Sequence, residues 1–516
     1  MNKKITFLTV ILASIVSLTN AQTRYNDEVF SSVSIQKDVV YGANATILPI
    51  RQTGHAILRP LAFDFYSPEN DEKTDRPLVV LWHTSGFVPH PINGSATGTR
   101  RDSATVEIAK RWAKRGYVVA VPDYRMGWNP AAGTQPERAE QLILAAYRGI
   151  QDAHTFLRFM SKAYAENNNP YGIDTSKILM MGQGAGSYIP INAALLKDTS
   201  DYIKIPTATD GKFLKDDGNG GFIPMVNEQI HGNVWGTNLT VVPNTTGAPN
   251  MLDTLNYPNH ADVQALDFKM VVNLTGAVAD SGWIEESTVP FVSFHSPTEG
   301  FSPYTTRIVV SSVSFDPIIT ASGGYDIHTI MKRYGNNEIY QKEKLDDEIS
   351  KIANSKNDGL DGLYPMTGLG IMDSSPWEWW TDDTSQNPNI QAGYDDAPNA
   401  SKERAMNYID TIFSYVIPRV CIVLDLPCEA SGGVNNYTQN DLIKIYPNPA
   451  KTEVNINSEK ELTSIQILDL NGKVVARKDA DNSRIHTISV ANLPKGIYMI
   501  QTIGKEFTSN KKVIIE

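Results

Sequence analysis

Lys177-Ile178-Leu179-Met180-Met181-Gly182-Gln183-Gly184-Ala185-Gly186 is the stretch that decides the fold. Its first five residues form a short apolar run, too brief for a helix, and read as a buried strand. Three glycines at alternate positions then mark a tight turn into a helix, because glycine accepts left-handed backbone and close approach. Working outward, Leu78-Val79-Val80-Leu81-Trp82 and Val118-Val119-Ala120-Val121-Pro122 have the same buried-strand character. Helical patterns lie between and after them (TVEIAKRWAKRGY, then PERAEQLILAAYRGIQDAHTFLRFMSKAYA), and FKMVVNL and VPFVSFH continue the alternation. The pattern predicts an α/β fold: a doubly wound, mostly parallel sheet with helices on both faces.

Residues 197–265 interrupt that alternation with Asp, Asn, Gly, Pro and Thr, and read as a cap insertion over the ligand crevice. Within them Asp216-Asp217-Gly218-Asn219-Gly220 reads as a turn, since the further carboxylates of a calcium loop are missing. After Cys428 the run EASGGVNNYTQN, within 429–442, is a small-residue linker. From Ile443 short alternating strands with Gly and Asn turns predict an all-β sandwich over 443–516.

The chain has 516 residues and a formal net charge of −11, with no stretch that concentrates Lys and Arg. Nucleic acid is therefore not an expected partner. Lys3-Lys4, an apolar run from Ile5 to about Leu18, and Thr19-Asn20-Ala21 read as a signal peptide over 1–21, because the run is short for a membrane span. No other segment reads as transmembrane. Cys421 and Cys428, the two cysteines, read as a local disulfide of an exported protein. No His, Cys and Asp cluster has metal-ligand spacing, so neither metal nor cofactor is expected.

Two resemblances follow from ordered motifs. Tyr446-Pro447-Asn448-Pro449, Leu468-Asp469-Leu470-Asn471-Gly472-Lys473-Val474-Val475, Leu493-Pro494-Lys495-Gly496-Ile497-Tyr498 and Lys511-Lys512-Val513 closely resemble the type A sorting domain read by the type IX secretion system. That resemblance implies Sec export, passage of the outer membrane, removal of 443–516, and a cell-surface or released product. It also implies the secretion machinery as a partner, and leaves function to 22–428. There, His83-Thr84-Ser85-Gly86-Phe87, Asp123-Tyr124-Arg125, Gln151-Asp152-Ala153 and Gly182-Gln183-Gly184-Ala185-Gly186 together resemble an α/β hydrolase of the esterase or lipase kind.

That family needs a serine on the elbow, two N–H donors for an oxyanion, a histidine base and an acid. Gly184 stands at the nucleophile position, and glycine has nothing to attack with. Ser187 is a weak substitute, three residues on and about 4.5 Å further along a helix axis. The N–H of Ala185 and one near Ser85 or Gly86 are the expected oxyanion donors; the alternative for the HTSG loop is a plain tight turn. Glu299 occupies the acid position after PFVSFH, or is a carboxylate without a role. The base belongs on Pro365–Asp373, which has no histidine. His328 reads as a surface or packing residue on the helix that follows the acid. Trp377, Trp379 and Trp380 are candidates for stacking on a sugar or aromatic ligand, or for packing the cap.

The expected function is thus a secreted esterase-like fold with a degenerate triad, binding a small-molecule ester or a polymer or glycan rather than cleaving it by the serine mechanism. The alternative is an active carboxylesterase with a displaced serine such as Ser187.

Overall fold

A computed structural model of the protein describes residues 23–241, 254–342, 345–371, 402–428 and 443–515, apart from 91, 94, 96, 198, 459, 470–472, 482 and 505–507. The signal peptide, the linker and Trp377, Trp379 and Trp380 lie outside the described residues. The chain divides into two compact units, the second of which contains 434–516.

The first unit is built on one eight-stranded sheet. Its strands are β1 (Val33–Thr46), β2 (Ile57–Pro68), β3 (Arg76–Trp82), β4 (Val118–Pro122), β5 (Ile173–Gln183), β6 (Met270–Leu274), β7 (Phe291–His295) and β8 (Leu363–Pro365). The order is β1-β2-β4-β3-β5-β6-β7-β8. The β1–β2 and β2–β4 pairs are antiparallel, and all later pairs are parallel. The expected doubly wound, mostly parallel sheet is therefore present, with an antiparallel edge.

Central strands carry continuous apolar runs because helices cover both faces. Leu78 through Trp82 are all fully buried. Helix α1 (Ser103–Lys114) follows β3, and α2 (Gln135–Glu166) follows β4. Thr134 caps α2 through a capping box with Glu137, and Pro136 sits in its first turn, an arrangement that contributes about 1 kcal/mol. Phe156 fastens α2 to the sheet, its ring meeting those of Tyr41, Phe63 and Trp82 at 5.4, 5.1 and 6.5 Å. After β5 comes a tight helical turn, Gly184–Ser187, then the short helix α3 (Tyr188–Ala193); α4 (Gly324–Tyr334) precedes β8.

The described part of 197–265 is a chain of turns, two short antiparallel strand pairs, two 3-10 helical segments and one short α-helix. It is stitched to α2 and β1: Tyr147 Oη donates to the Gly232 carbonyl, Arg158 to that of Val234, and Asn259 to that of Ala43. Cys421 and Cys428 are joined as a disulfide, with Cα atoms 5.9 Å apart. Among the described residues, no helix is long and apolar enough to cross a membrane.

The sandwich of the second unit has one three-stranded and one four-stranded antiparallel sheet. Alternate residues such as Val454, Ile456, Ile465, Ile467 and Ile500 fill its core.

Candidate functional site

The turn after β5 is an elbow set by its glycines. Gly184 has φ +51, in the left-handed region where a side chain is strained. A Cβ on Gly182 would lie 2.5 Å from Ser187 Cα, and one on Gly186 would overlap the His83 carbonyl oxygen. Glycine at 182 therefore lets the elbow fold tightly on itself, and glycine at 186 lets it press on the end of β3, bringing together two loops that the sequence separates. Gly184 and Ala185 remain half-exposed at this junction.

Ser187 lies inside the turn, fully buried. Its hydroxyl meets the carbonyl oxygens of Gly182 and Leu274, the latter at 3.0 Å, and accepts the Leu274 N–H at 3.1 Å. The side chain cross-links the elbow to β6.

The HTSG loop is held by an ordered chain of donors. Phe87 N–H donates to Ser85 Oγ at 2.9 Å, Ser85 Oγ is 2.6 Å from Tyr124 Oη, and Tyr124 Oη donates to the His83 carbonyl at 3.0 Å. Ser85 is buried by this use, while Gly86 turns with φ +63 and stays half-exposed. The His83 ring stacks on Tyr124 at 4.9 Å, and its Nδ1 donates to the Thr84 carbonyl at 2.8 Å. Burial lowers the His83 pKa.

Glu299 follows β7 on a turn and is 1% exposed. Its Oε1 accepts the N–H groups of Phe301 at 2.9 Å and Ser302 at 3.3 Å. Its Oε2 is buried with no hydrogen-bond partner among the described residues. Burial pushes the carboxyl up to about 7, against the pull of those N–H groups. Ser302 Oγ lies 2.9 Å from Tyr188 Oη, so a tyrosine of the elbow helix reaches the Glu299 loop. Sequence reasoning missed that link.

The loop after β8 runs beside Glu299, as chain order implies for a base. Thr298 Oγ1 donates to the Leu369 carbonyl at 2.8 Å and Gly300 N–H to that of Ile371 at 2.9 Å. Residues 366–371 supply no histidine there. His295 is buried: Nε2 donates to the Ser302 carbonyl at 3.1 Å and Nδ1 accepts the Gly324 N–H at 3.2 Å. His328 is buried on α4, between the Asp361 carbonyl at 2.9 Å and Ser293 Oγ at 3.0 Å. Burial pushes both down to about 4, so both are neutral packing histidines near pH 7.

Beside the HTSG loop, a cleft of about 760 Å³ opens at the carboxyl end of β4, with Asn44, Arg59, His90, Arg101, Asp123 and Tyr124 among its walls. Arg125 at its edge is paired with the fully buried Asp152 at 2.8 Å. Asp64, also buried, binds Arg100 at 3.1 Å and Arg101 at 2.9 Å. Among the described residues no group of three or more His, Cys, Asp or Glu side chains is placed to hold a metal ion.

Two stretches of the chain match known family models. Residues 63–217 match the BD-FAE family model, and residues 444–516 match the secretion system C-terminal sorting domain. Among solved structures, Thermogutta terrifontis esterase 2 phosphorylated by paraoxon is 13% identical with a TM-score of 0.30, over 67% of this chain and 90% of that one. A hyperthermophilic esterase from the archaeon Pyrobaculum calidifontis is 20% identical with a TM-score of 0.18, over 33% of this chain and 40% of that one. No curated protein matches. The chain joins an esterase-like α/β-hydrolase domain to a C-terminal sorting domain of the type IX secretion system, which addresses it to the cell surface or the medium.

Proposed function

We propose that this secreted protein uses the esterase scaffold to hold a small-molecule ester or a polymer, glycans included, without the serine mechanism. The observation that carries the reading is Ser187: its hydroxyl is buried and engaged with Gly182 and Leu274. With Gly184 at the nucleophile position, Ser187 is not free to replace the missing serine. The lack of a histidine on 366–371 and the burial of His295 and His328 support the same reading. The N–H groups of Ala185 and of Ser85 or Gly86 are left as donors for a ligand oxygen, and Glu299 stays at the acid position. Residues 22–428 are the functional piece, 429–442 the linker, and 443–516 the address.

The test is an assay of purified protein on short-chain nitrophenyl esters, beside Ser187→Ala and Gly184→Ser. The expected result is no serine-dependent turnover, and none restored by Gly184→Ser, because no base accompanies it. Turnover that Ser187→Ala abolishes in a still-folded protein would favour a carboxylesterase with a displaced nucleophile.

A further inference from the structure

Between β7 and α4 the chain makes a hairpin, with Arg307–Val310 paired antiparallel to Pro317–Ala321. Its tip comes down on the HTSG loop. A Cβ on Gly86 would lie 3.0 Å from Val313 Cγ2 and 3.7 Å from Ser312 Oγ. That contact joins positions more than two hundred residues apart, and it leaves Gly86 half-exposed beside the tip.

The tip is held by its own bonds and by the Glu299 loop, where the Phe301 carbonyl accepts the Val310 N–H at 3.0 Å and the Phe301 ring lies 6.1 Å from that of Phe315. The Ser311 carbonyl accepts the Phe315 N–H, and its N–H donates to the Asp316 carbonyl, both at 2.9 Å. Ser311 Oγ accepts the N–H groups of Val313 at 3.2 Å and Ser314 at 3.1 Å. This ring keeps Phe315 at φ +58, a conformation that a bulky side chain rarely adopts, with its side chain facing solvent. The base of the hairpin is anchored separately, by the Val278–Ser322 bridge and by Lys212 Nζ donating to the Thr320 carbonyl at 3.0 Å.

Between tip and base the fastening is polar. Asp316 takes Arg138 in a two-pronged pair, Oδ2 to Nε at 2.6 Å and Oδ1 to Nη2 at 2.8 Å. The Gln135 side chain donates to the Pro317 carbonyl. The Arg138 and Asp316 side chains are 20% and 14% exposed, so water reaches the pair. The apolar contribution is small, with Val313 and Ile319 partly buried against the core. A tip with its own internal bonds, an anchored base and a solvent-accessible ionic fastening are what a hinged flap requires.

We propose that the hairpin Arg307–Ala321 is a lid over the Gly86 loop, latched to α2 by the Arg138–Asp316 pair. Opening lifts Val313 from Gly86 while the internal bonds of the tip persist. The inference goes beyond the ligand-holding reading, since a lid over Gly86 serves a crevice that binds and a crevice that hydrolyses equally well.

Hydrogen exchange of the full chain, followed peptide by peptide, tests it. In Asp316→Asn, exchange across 83–88 and 307–321 should accelerate together by about tenfold, while β5 stays unchanged. Asp316→Glu should keep most of the protection. In the wild type, rising salt should accelerate the same two segments, because it screens a solvent-accessible pair. Faster exchange in 307–321 with 83–88 unchanged overturns the lid. So does salt-independent exchange of both segments in the wild type, a result that stands even if Asp316→Asn fails to fold.

Discussion

The backbone of Gly186 rests directly on the carbonyl of His83, so that a single methyl group at 186 has no room. This contact couples the end of β3 to the elbow after β5. Gly186→Ala must separate the two loops, and overpacking of this kind costs about 1–3 kcal/mol. The expected outcome is a lower urea midpoint with an unchanged m-value.

Ser187→Ala tests the structural role of that hydroxyl. Removing it leaves the buried N–H of Leu274 without its Oγ acceptor, at a cost of about 1–3 kcal/mol. Equilibrium unfolding should register that loss. A variant as stable as the wild type would show that the cross-link to β6 contributes nothing.

Asp152→Ala removes the partner of a buried guanidinium. Arg125 is 3% exposed and Asp152 fully buried, and an uncompensated charge there costs about 3–5 kcal/mol. We expect a fall in thermal midpoint several-fold larger than for Asp75→Ala, whose partner Lys73 is exposed.

Glu299 gives a pH signature. Its folded pKa lies near 7, against an ordinary 4.5, because burial disfavours the charge. The folded state therefore holds the proton more tightly than the unfolded state does. The cost of the charge is absent below about pH 4.5, grows as pH rises, and is complete above about pH 7, reaching about 3 kcal/mol. The stability difference between wild type and Glu299→Gln should drift by that amount across the window, in favour of the variant at high pH. Unfolding curves at a series of pH values read the drift directly, and the buried histidines cancel in the difference. A flat difference would mean that Glu299 is ordinarily solvated.

Much of this was legible in the sequence for physical reasons. LVVLW, VVAVP and KILMM are apolar throughout because both faces of a central parallel strand are covered. The glycines of GQGAG announced a tight turn, and chain order placed Glu299 and the loop after β8. What stayed hidden depends on contacts between distant residues, which leave no local pattern. The Leu274 partner of Ser187 is 87 residues away. The tyrosine that reaches Ser302 from the elbow helix, and the valine seated on Gly86, carry no cue in their own neighbourhoods. The turns and short strand pairs of the described part of 197–265 suit its composition, but its attachment to α2 and β1 left no cue.

The proposed loss of the serine mechanism is tested most directly by intact-mass measurement after treatment with a fluorophosphonate, which labels activated serines whatever the substrate. The account predicts no mass increase for the wild-type protein. A stoichiometric adduct that maps to Ser187 and disappears in Ser187→Ala would contradict it.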